Sequence, residues 1–330
     1  MKILISDYVD SMMPYHDLEI KTLKEGLGDD IEVEVYVYSD DKREEFYEHL
    51  KDADALLTAF IQMNEEALDH APNLKVISIN ATGFDNVDLD AADKRGIGVC
   101  PVGEYCTQDV SETAIAYMMA LNKYLKGYQK MIDVDHNWDY AGLPANPRIE
   151  NQTLGIVGFG KIGKCTAKKA KGLCAEIIAV DPNVDKEVAD SLGVELTTKE
   201  DLLRRSDIII NHMCLTPENH HYFNSETFAM MEKKPIFINL GRGLSVDEGA
   251  LQYALDNGQI RAAGMDVLYD ETPDLANHPL VGRDNVLITP HSAFYSTTST
   301  EDLMRLSSLN IVYFLTGKIE KVFKLVNLKK

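Results

Sequence analysis

Three segments in the second half of the chain carry residue types that suit proton transfer to or from a substrate that has a carboxylate group. Arg242 stands between two glycines in Asn239-Leu240-Gly241-Arg242-Gly243, and its planar guanidinium can pair with a carboxylate and polarise an adjacent carbonyl. His291 follows a proline, and histidine gives and takes protons near neutral pH. The third segment, 266–271, supplies several acids that could orient the histidine, and spacing alone does not choose among them.

A fourth segment has the signature of a dinucleotide site. Residues 154–157 predict a strand, which leads into Gly158-Phe159-Gly160-Lys161-Ile162-Gly163, and the next predicted strand ends at Asp181. Gly158 would permit a tight turn, Gly160 a close approach to a pyrophosphate, and Gly163 close packing of helix on strand. Asp181 suits ribose hydroxyls and would repel a 2′-phosphate, and Pro182 follows where an NADP site would favour arginine. The pattern therefore predicts NAD.

All four segments follow apolar strands, so one parallel sheet could bring them together. Strands are predicted at 208–211, 236–239, 262–266 and 286–288, besides the two that flank the glycines. Loops that leave the carboxyl ends of parallel strands line the ligand crevice of a doubly wound sheet. We therefore expect Arg242 and His291 in one crevice beside NAD, where hydride transfer to a 2-oxo acid would have its proton donor and its cation.

The first hundred residues alternate strands and helices in a flavodoxin-like rhythm. Strands are predicted at 3–6, 31–38, 55–58, 76–79 and 97–100, and helices at 17–27, 42–51, 64–71 and 88–95. Further helices are predicted at 109–131, from 161 to about 174, and at 299–316. The last is too short for a domain and should return to the first. The expected α/β fold is a flavodoxin-like substrate domain, 1–101 and 292–330, with an inserted Rossmann NAD-binding domain, 102–291.

Composition narrows the class of protein. The 330 residues carry 33 basic and 53 acidic side chains, a net charge of −20, which argues against nucleic-acid and anionic-membrane partners. The five cysteines are odd in number and lack the spacing of a zinc site or a disulfide framework. No stretch is long and apolar enough for a signal peptide or a membrane span. We expect a cytoplasmic enzyme without a metal.

With these motifs in order, nearly the whole chain resembles the D-isomer-specific 2-hydroxyacid dehydrogenases. Further matches are Ala81-Thr82-Gly83-Phe84-Asp85-Asn86-Val87-Asp88 and Leu215-Thr216-Pro217-Glu218. The resemblance implies that Arg242, Glu271 and His291 are catalytic, with Glu271 the partner of the histidine. It also implies that the product is the D-hydroxy acid and that the enzyme is a homodimer. It also implies an NAD site lined by Gly158, Gly160, Lys161, Ile162, Gly163, Asp181, Cys214, Asn219, Gly241 and Asp266. The substrate would meet Ala81, Thr82, Gly83, Tyr105 and Arg242.

Departures from the family pattern bear on the substrate. Ile79-Asn80 stands where phosphoglycerate-type members carry an arginine, and Glu104 adds an acid, so 3-phosphoglycerate is disfavoured. Residues 106–125 and 292–295 look most like glycerate/hydroxypyruvate-type and C-terminal-binding-protein-like members. Hydroxypyruvate or glyoxylate is the first expected substrate, and a branched or aromatic 2-oxo acid the second, since Phe294, Tyr295 and Phe60 offer apolar surface.

Two other functions remain open at this point. The similarity to C-terminal-binding-protein-like members, which are corepressors, allows an NAD(H)-sensing interaction module with little turnover. All three catalytic residues are present, which argues against this function. Formate- or phosphite-type oxidation is the other, and Glu271 argues against it because formate enzymes pair the histidine with a glutamine. Trp138, the only tryptophan, could reach a partner subunit's active site or could anchor a surface loop.

Overall fold

The structure, a computed structural model, describes residues 1–13 and 15–328. The chain forms two compact units. Unit 1 comprises 1–105 and 296–330, and unit 2 comprises 106–295. Both boundaries lie four residues beyond those expected from the sequence, 101 and 291.

Unit 1 is built on a five-stranded parallel sheet with the order β2-β1-β3-β4-β5, the order of flavodoxin-like folds. Its strands are β1 (Lys2–Tyr8), β2 (Glu32–Tyr38), β3 (Ala55–Thr58), β4 (Val76–Ile79) and β5 (Gly98–Pro101). Its first helices are α1 (Asp17–Leu27), α2 (Arg43–Leu50), α3 (Glu65–Asp69) and α4 (Leu89–Arg95).

Unit 2 is built on a seven-stranded parallel sheet with the order β12-β11-β10-β9-β6-β7-β8, a Rossmann arrangement with one added strand. Its strands are β6 (Thr153–Val157), β7 (Glu176–Val180), β8 (Glu195–Leu196), β9 (Ile208–Asn211), β10 (Ile236–Asn239), β11 (Ala262–Met265) and β12 (Val286–Ile288). Its helices are α5 (Thr107–Asn122), α6 (Leu125–Asp133), α7 (Lys161–Ala170), α8 (Lys186–Leu192), α9 (Lys199–Arg205), α10 (Ser225–Ala229) and α11 (Glu248–Asp256). The chain then returns to unit 1 as α12 (Thr297–Leu315).

Each sheet is covered on both faces, which explains why its central strands are apolar throughout. In unit 1, Leu4 and Leu56 pack into one cluster with α2, α3 and α4, whereas Ile3 and Leu57 pack into another with α1 and α12. Unit 2 repeats the pattern with α5 and α7 on one face and α9, α10 and α11 on the other. Parallel strands buried on two faces read as continuous hydrophobic runs.

Several sequence-based boundaries differ from the structure. The helix predicted over 109–131 is two helices, because Tyr124 adopts a left-handed conformation (φ 52°) between α5 and α6. The helix from Lys161 ends at Ala170 rather than near 174, and the chain turns at Gly172 (φ 87°). β11 ends at Met265, so Asp266 belongs to the following loop. The two-residue strand β8 was not predicted.

Candidate active site

The carboxyl ends of the unit 2 strands place the predicted motifs at one edge of the sheet. The glycine segment follows β6, and Asp181 follows β7. The turn with Arg242 follows β10, Asp266 follows β11, and the His291 loop follows β12. This is the edge at which doubly wound sheets bind their ligands.

The three glycines of the first loop differ in what surrounds them. Gly158 has φ 88°, and a side chain there would lie 2.7 Å from the backbone nitrogen of Met213. A Cβ atom on Gly163 would overlap the carbonyl oxygen of Gly158. At Gly160, by contrast, a Cβ atom would meet no atom within 4 Å. The open space lies directly before the first turn of α7, so the backbone there can receive a pyrophosphate on the helix N-terminus.

The other predicted NAD contacts lie around this loop. One Asp181 oxygen accepts the Phe159 N–H (2.8 Å) and the other accepts the Asn183 N–H (2.8 Å), so the carboxylate is fixed beside the glycines. Asn219 accepts the Thr216 N–H and donates to the Cys214 carbonyl, both at 2.7 Å. Three more predicted NAD contacts lie in the first turn of α7 or in the Arg242 turn: Lys161, Ile162 and Gly241. These residues fit a dinucleotide.

The half-buried His212 carries a neutral imidazole beside the glycine loop, and the sequence did not single it out. Burial lowers its pKa to about 3, so the imidazole carries no charge at neutral pH. Its Nε2 forms a hydrogen bond with the Thr166 hydroxyl of α7 (2.9 Å). The pair therefore ties the loop after β9 to the helix that follows the glycines.

The Arg242 turn rests on fully buried amides. The Asn211 side chain donates to the side-chain Oδ1 of Asn239 and to the Ser245 hydroxyl, both at 2.9 Å. Asn239 and Ser245 in turn donate to the Arg242 backbone carbonyl, at 3.1 and 2.6 Å. The three supporting side chains have no exposed surface. Buried polar groups that satisfy one another hold a unique geometry, so the backbone that carries the guanidinium is rigid.

His291 is held in an uncommon backbone conformation by a buried carboxylate. Its φ is 49°, in the left-handed region that costs about 1–3 kcal/mol for such a residue. Asp266, 3% exposed, accepts the Ser292 N–H and the Ala293 N–H (2.9 and 3.0 Å), and it also accepts the Thr289 hydroxyl. The backbone carbonyl of Asp266 accepts the His291 N–H at 2.7 Å. Both carboxylate oxygens of Asp266, a predicted cofactor contact, thus accept hydrogen bonds from the loop that carries His291.

Glu271 meets His291 as a charged partner. Its Oε2 lies 2.9 Å from the His291 Nδ1. The hydrogen bond with His291 is the main cause that lowers the pKa of Glu271, and the charges of His291 and Arg242 lower it further. Glu271 therefore remains a carboxylate at neutral pH and accepts the hydrogen bond that the His291 Nδ1–H donates. The His291 Nε2 atom is then available to a substrate.

The predicted substrate contacts of unit 1 lie at the corresponding edge of its own sheet. Ala81, Thr82 and Gly83 follow β4, and Tyr105 is the last residue of the first segment of unit 1. The loop after β3 is fixed by Asp7, whose carboxylate accepts the Ala59 and Phe60 N–H groups. Phe60 itself is 51% exposed.

Among the described residues, no helix is both long and apolar enough to cross a bilayer, and no three ligating side chains are grouped to hold a metal.

The buried residues that support the Arg242 turn do have a signal in the sequence. Asn211 and Asn239 each end a run of buried isoleucine or phenylalanine, and an amide at the carboxyl end of a core strand requires a partner.

Comparison with known proteins agrees with this geometry. Residues 115–293, more than half of the chain, match the family model "D-isomer specific 2-hydroxyacid dehydrogenase, NAD binding domain". A glyoxylate reductase of Pyrococcus horikoshii is 34% identical, over 87% of this chain and 88% of that protein. A D-3-phosphoglycerate dehydrogenase of Methanocaldococcus jannaschii is 35% identical, over 92% of this chain but 55% of its own length.

A solved structure extends the similarity to the whole fold. The D-lactate dehydrogenase of Aquifex aeolicus, complexed with NAD and lactic acid, has 28% sequence identity and a TM-score of 0.84, over 99% of this chain and 100% of that one. The chain therefore belongs to the D-isomer-specific 2-hydroxyacid dehydrogenases and is an NAD-dependent oxidoreductase of small 2-oxo and 2-hydroxy acids.

Proposed function

We propose that this enzyme reduces hydroxypyruvate or glyoxylate with NADH, with a branched or aromatic 2-oxo acid as the second choice of substrate. The observation that carries the proposal is the His291–Glu271 bond of 2.9 Å, because it makes a proton donor of a histidine at the NAD edge. The glyoxylate reductase similarity supports the choice of a short substrate.

Each residue of the site would have one role at the substrate carbonyl. NADH, when held by the glycine loop, would be the source of the hydride that the carbonyl carbon accepts. Arg242 pairs with the substrate carboxylate and polarises the carbonyl. His291 gives its Nε2 proton to the oxygen that becomes the hydroxyl, and Glu271 keeps the Nδ1 proton and the ring orientation throughout. The reverse transfer oxidises a hydroxy acid, with His291 accepting the proton.

We assign NAD binding to 102–291 and substrate binding to 1–101 with 292–330. In the NAD domain, the glycine loop with Lys161 and Ile162, then Asp181, Cys214, Asn219, Gly241 and Asp266, would line the cofactor. In the substrate domain, the backbone of Ala81-Thr82-Gly83 and the Tyr105 side chain would bind the acid. The open backbone at Gly160 supports the first assignment.

A 3-phosphoglycerate substrate fits the chain poorly. Unit 1 has Asn80 and the exposed Glu104 near its predicted contacts, where a phosphate would favour arginine.

The enzyme is also proposed to be a cytoplasmic homodimer. Its five cysteines are free, as expected in a reducing compartment. Trp138 and Tyr140 are 91% and 90% exposed, and large aromatic side chains are enriched where partner subunits bind. A second copy of the chain is the partner that the family resemblance implies.

The test is the loss of NADH absorbance with hydroxypyruvate, glyoxylate, pyruvate, 2-oxoisocaproate, phenylpyruvate and 3-phosphohydroxypyruvate. We expect turnover with one of the first two, preference for NADH over NADPH, and weakened NADH preference in Asp181→Ser. Tight NADH binding without turnover on any acid would contradict the proposal and favour an NAD(H)-sensing module. Faster reduction of 3-phosphohydroxypyruvate would overturn the choice of substrate.

A further inference from the structure

The segment that carries Glu271 is an exposed loop with few attachments along its length. It runs from Tyr269 to His278 between β11 and the buried Leu280, and eight of its ten residues, Glu271 among them, are exposed. We call it the 269–278 loop. A carboxylate on such a loop orients a histidine only if the ends of the loop are fixed, because an unfixed loop samples many conformations.

Both ends of the 269–278 loop attach to one side chain, that of Glu248 in the first turn of α11. The Tyr269 N–H donates to Glu248 Oε1 at 2.7 Å. At the other end, the His278 Nε2 lies 3.3 Å from Glu248 Oε2. The side chains of His278 and Glu248 are only 11% and 19% exposed, so water competes little for either contact.

The hydrogen bonds also identify which nitrogen of His278 carries the proton. The Leu280 N–H points at the His278 Nδ1 (3.3 Å), so Nδ1 accepts a hydrogen bond and has no proton. Nε2 must then carry the proton and donate to Glu248. Each polar atom of the pair has a partner of the right kind, and a neutral imidazole satisfies the arrangement completely.

The start of the loop also packs against the Arg242 turn. A side chain at Gly243 would overlap the carbonyl oxygen of Leu268 and lie 2.8 Å from the Tyr269 nitrogen. The loop therefore leaves the sheet in contact with the turn that presents the guanidinium, at the residue whose N–H is bound by Glu248.

We propose that Glu248 and His278 are positioning residues that close the 269–278 loop and thereby set the orientation of Glu271 towards His291. Neither is a catalytic residue, because each acts through Glu271. The inference rests on the proposed role of Glu271 and names two residues that act on that same site. A misplacement of about 1 Å at a reacting group can cost about 100-fold in rate, so the pair matters for turnover although it bears no chemistry.

The experiment compares four variants of the full-length enzyme. Glu248→Gln keeps an acceptor for Tyr269 but turns an amide N–H2 towards the His278 N–H. His278→Ala removes the donor, whereas His278→Gln restores an N–H at a similar distance. The matched control is Glu226→Gln, which makes the same change at an exposed position in the first turn of α10.

Two readouts are taken, amide hydrogen exchange of 266–280 and steady-state kinetics with hydroxypyruvate or glyoxylate. We expect faster exchange in the loop and a 10- to 100-fold lower kcat in Glu248→Gln and His278→Ala. The KM for NADH should not change, and His278→Gln should recover most of the rate. The exchange readout needs no turnover, so it tests the loop attachment even if no 2-oxo acid on the panel is reduced.

The opposite outcomes are equally definite. If Glu248→Gln matches Glu226→Gln in exchange, Glu248 does not close the loop, and the proposal is wrong. If exchange rises but kcat does not change, the pair anchors the loop without positioning Glu271, and the proposal is also wrong. Loss of NADH affinity in parallel with kcat would show a general distortion of unit 2 instead.

Discussion

The two sheets present their carboxyl edges in different ways. The unit 2 edge carries the side chains of Arg242, Glu271 and His291. The buried Ser245 hydroxyl donates to the Arg242 backbone carbonyl, Glu271 is hydrogen-bonded to His291, and the buried Asp266 carboxylate accepts a backbone N–H of the His291 loop. The unit 1 edge presents mostly backbone, at Ala81-Thr82-Gly83, and an exposed aromatic ring at Phe60. Both edges follow from the same parallel topology, so topology alone does not determine what an edge does.

Some parts of a function require particular side chains, whereas others require only the backbone. A proton donor and a guanidinium must be particular side chains, because their chemistry has no substitute. Backbone N–H groups are available in every sequence. We therefore expect changes at the unit 2 edge to reduce kcat strongly and changes at the unit 1 edge to act mainly on substrate choice.

The largest effect should follow loss of the proton donor. His291→Ala is expected to lower kcat by about 10²–10⁴-fold, the usual value for a positioned general acid, while NADH binding measured by fluorescence titration does not change. The matched control is His49→Ala in unit 1, because His49 also pairs with a glutamate, Glu34, at 2.6 Å. Equal rates for the two variants would show that His291 is not the proton donor.

A smaller effect, visible in the pH profile, should follow loss of the histidine's partner. The hydrogen bond with His291 lowers the pKa of Glu271, so its carboxylate is charged at neutral pH and down to a lower pH than an ordinary glutamate. Its stabilising contact is present above the unfolded pKa near 4.5 and is lost as pH falls through the lower folded value.

In Glu271→Gln this charge is absent at every pH. The alkaline limb of the reduction rate, where the proton donor is lost, should therefore move to lower pH. The measurement is kcat/KM for reduction between pH 5 and 10. An alkaline limb that stays in place would show that Glu271 does not stabilise the protonated histidine.

The smallest effect is expected at the unit 1 edge. Phe60→Ala removes an exposed ring and leaves the Asp7 contacts to the backbone in place. We expect kcat with glyoxylate to be nearly unchanged and the ratio of kcat/KM for phenylpyruvate over glyoxylate to shift by about 10-fold, as for other losses of apolar contact. A loss of kcat comparable to that of His291→Ala would show that unit 1 also carries chemistry.

The same difference explains how far the sequence alone could lead. Apolar runs such as Ile208–Asn211 and the glycine spacing predicted the Rossmann sheet, because periodicity and turn chemistry are local properties. The break at Tyr124 was not predicted, since nothing in a Lys-Tyr pair requires a left-handed residue.

The supporting residues of the site depend on contacts across the sheet. Glu248 lies 21 residues from Tyr269, and Asp266 lies 26 from Ser292. Such pairings appear only when the strands have been placed in order. The choice of Glu271 from the acids of 266–271 came from family resemblance, and the structure shows the bond to His291 directly.

The central claim is that Glu271 and His291 work as one acid at the unit 2 edge, and a double-mutant cycle tests it most directly. Wild type, Glu271→Gln, His291→Ala and the double variant are compared by the single-turnover rate of NADH oxidation. If Glu271 acts only through His291, the double variant should be no slower than His291→Ala, as for other groups that act as a unit. If the two losses multiply instead, the residues act independently and the account of this site is wrong.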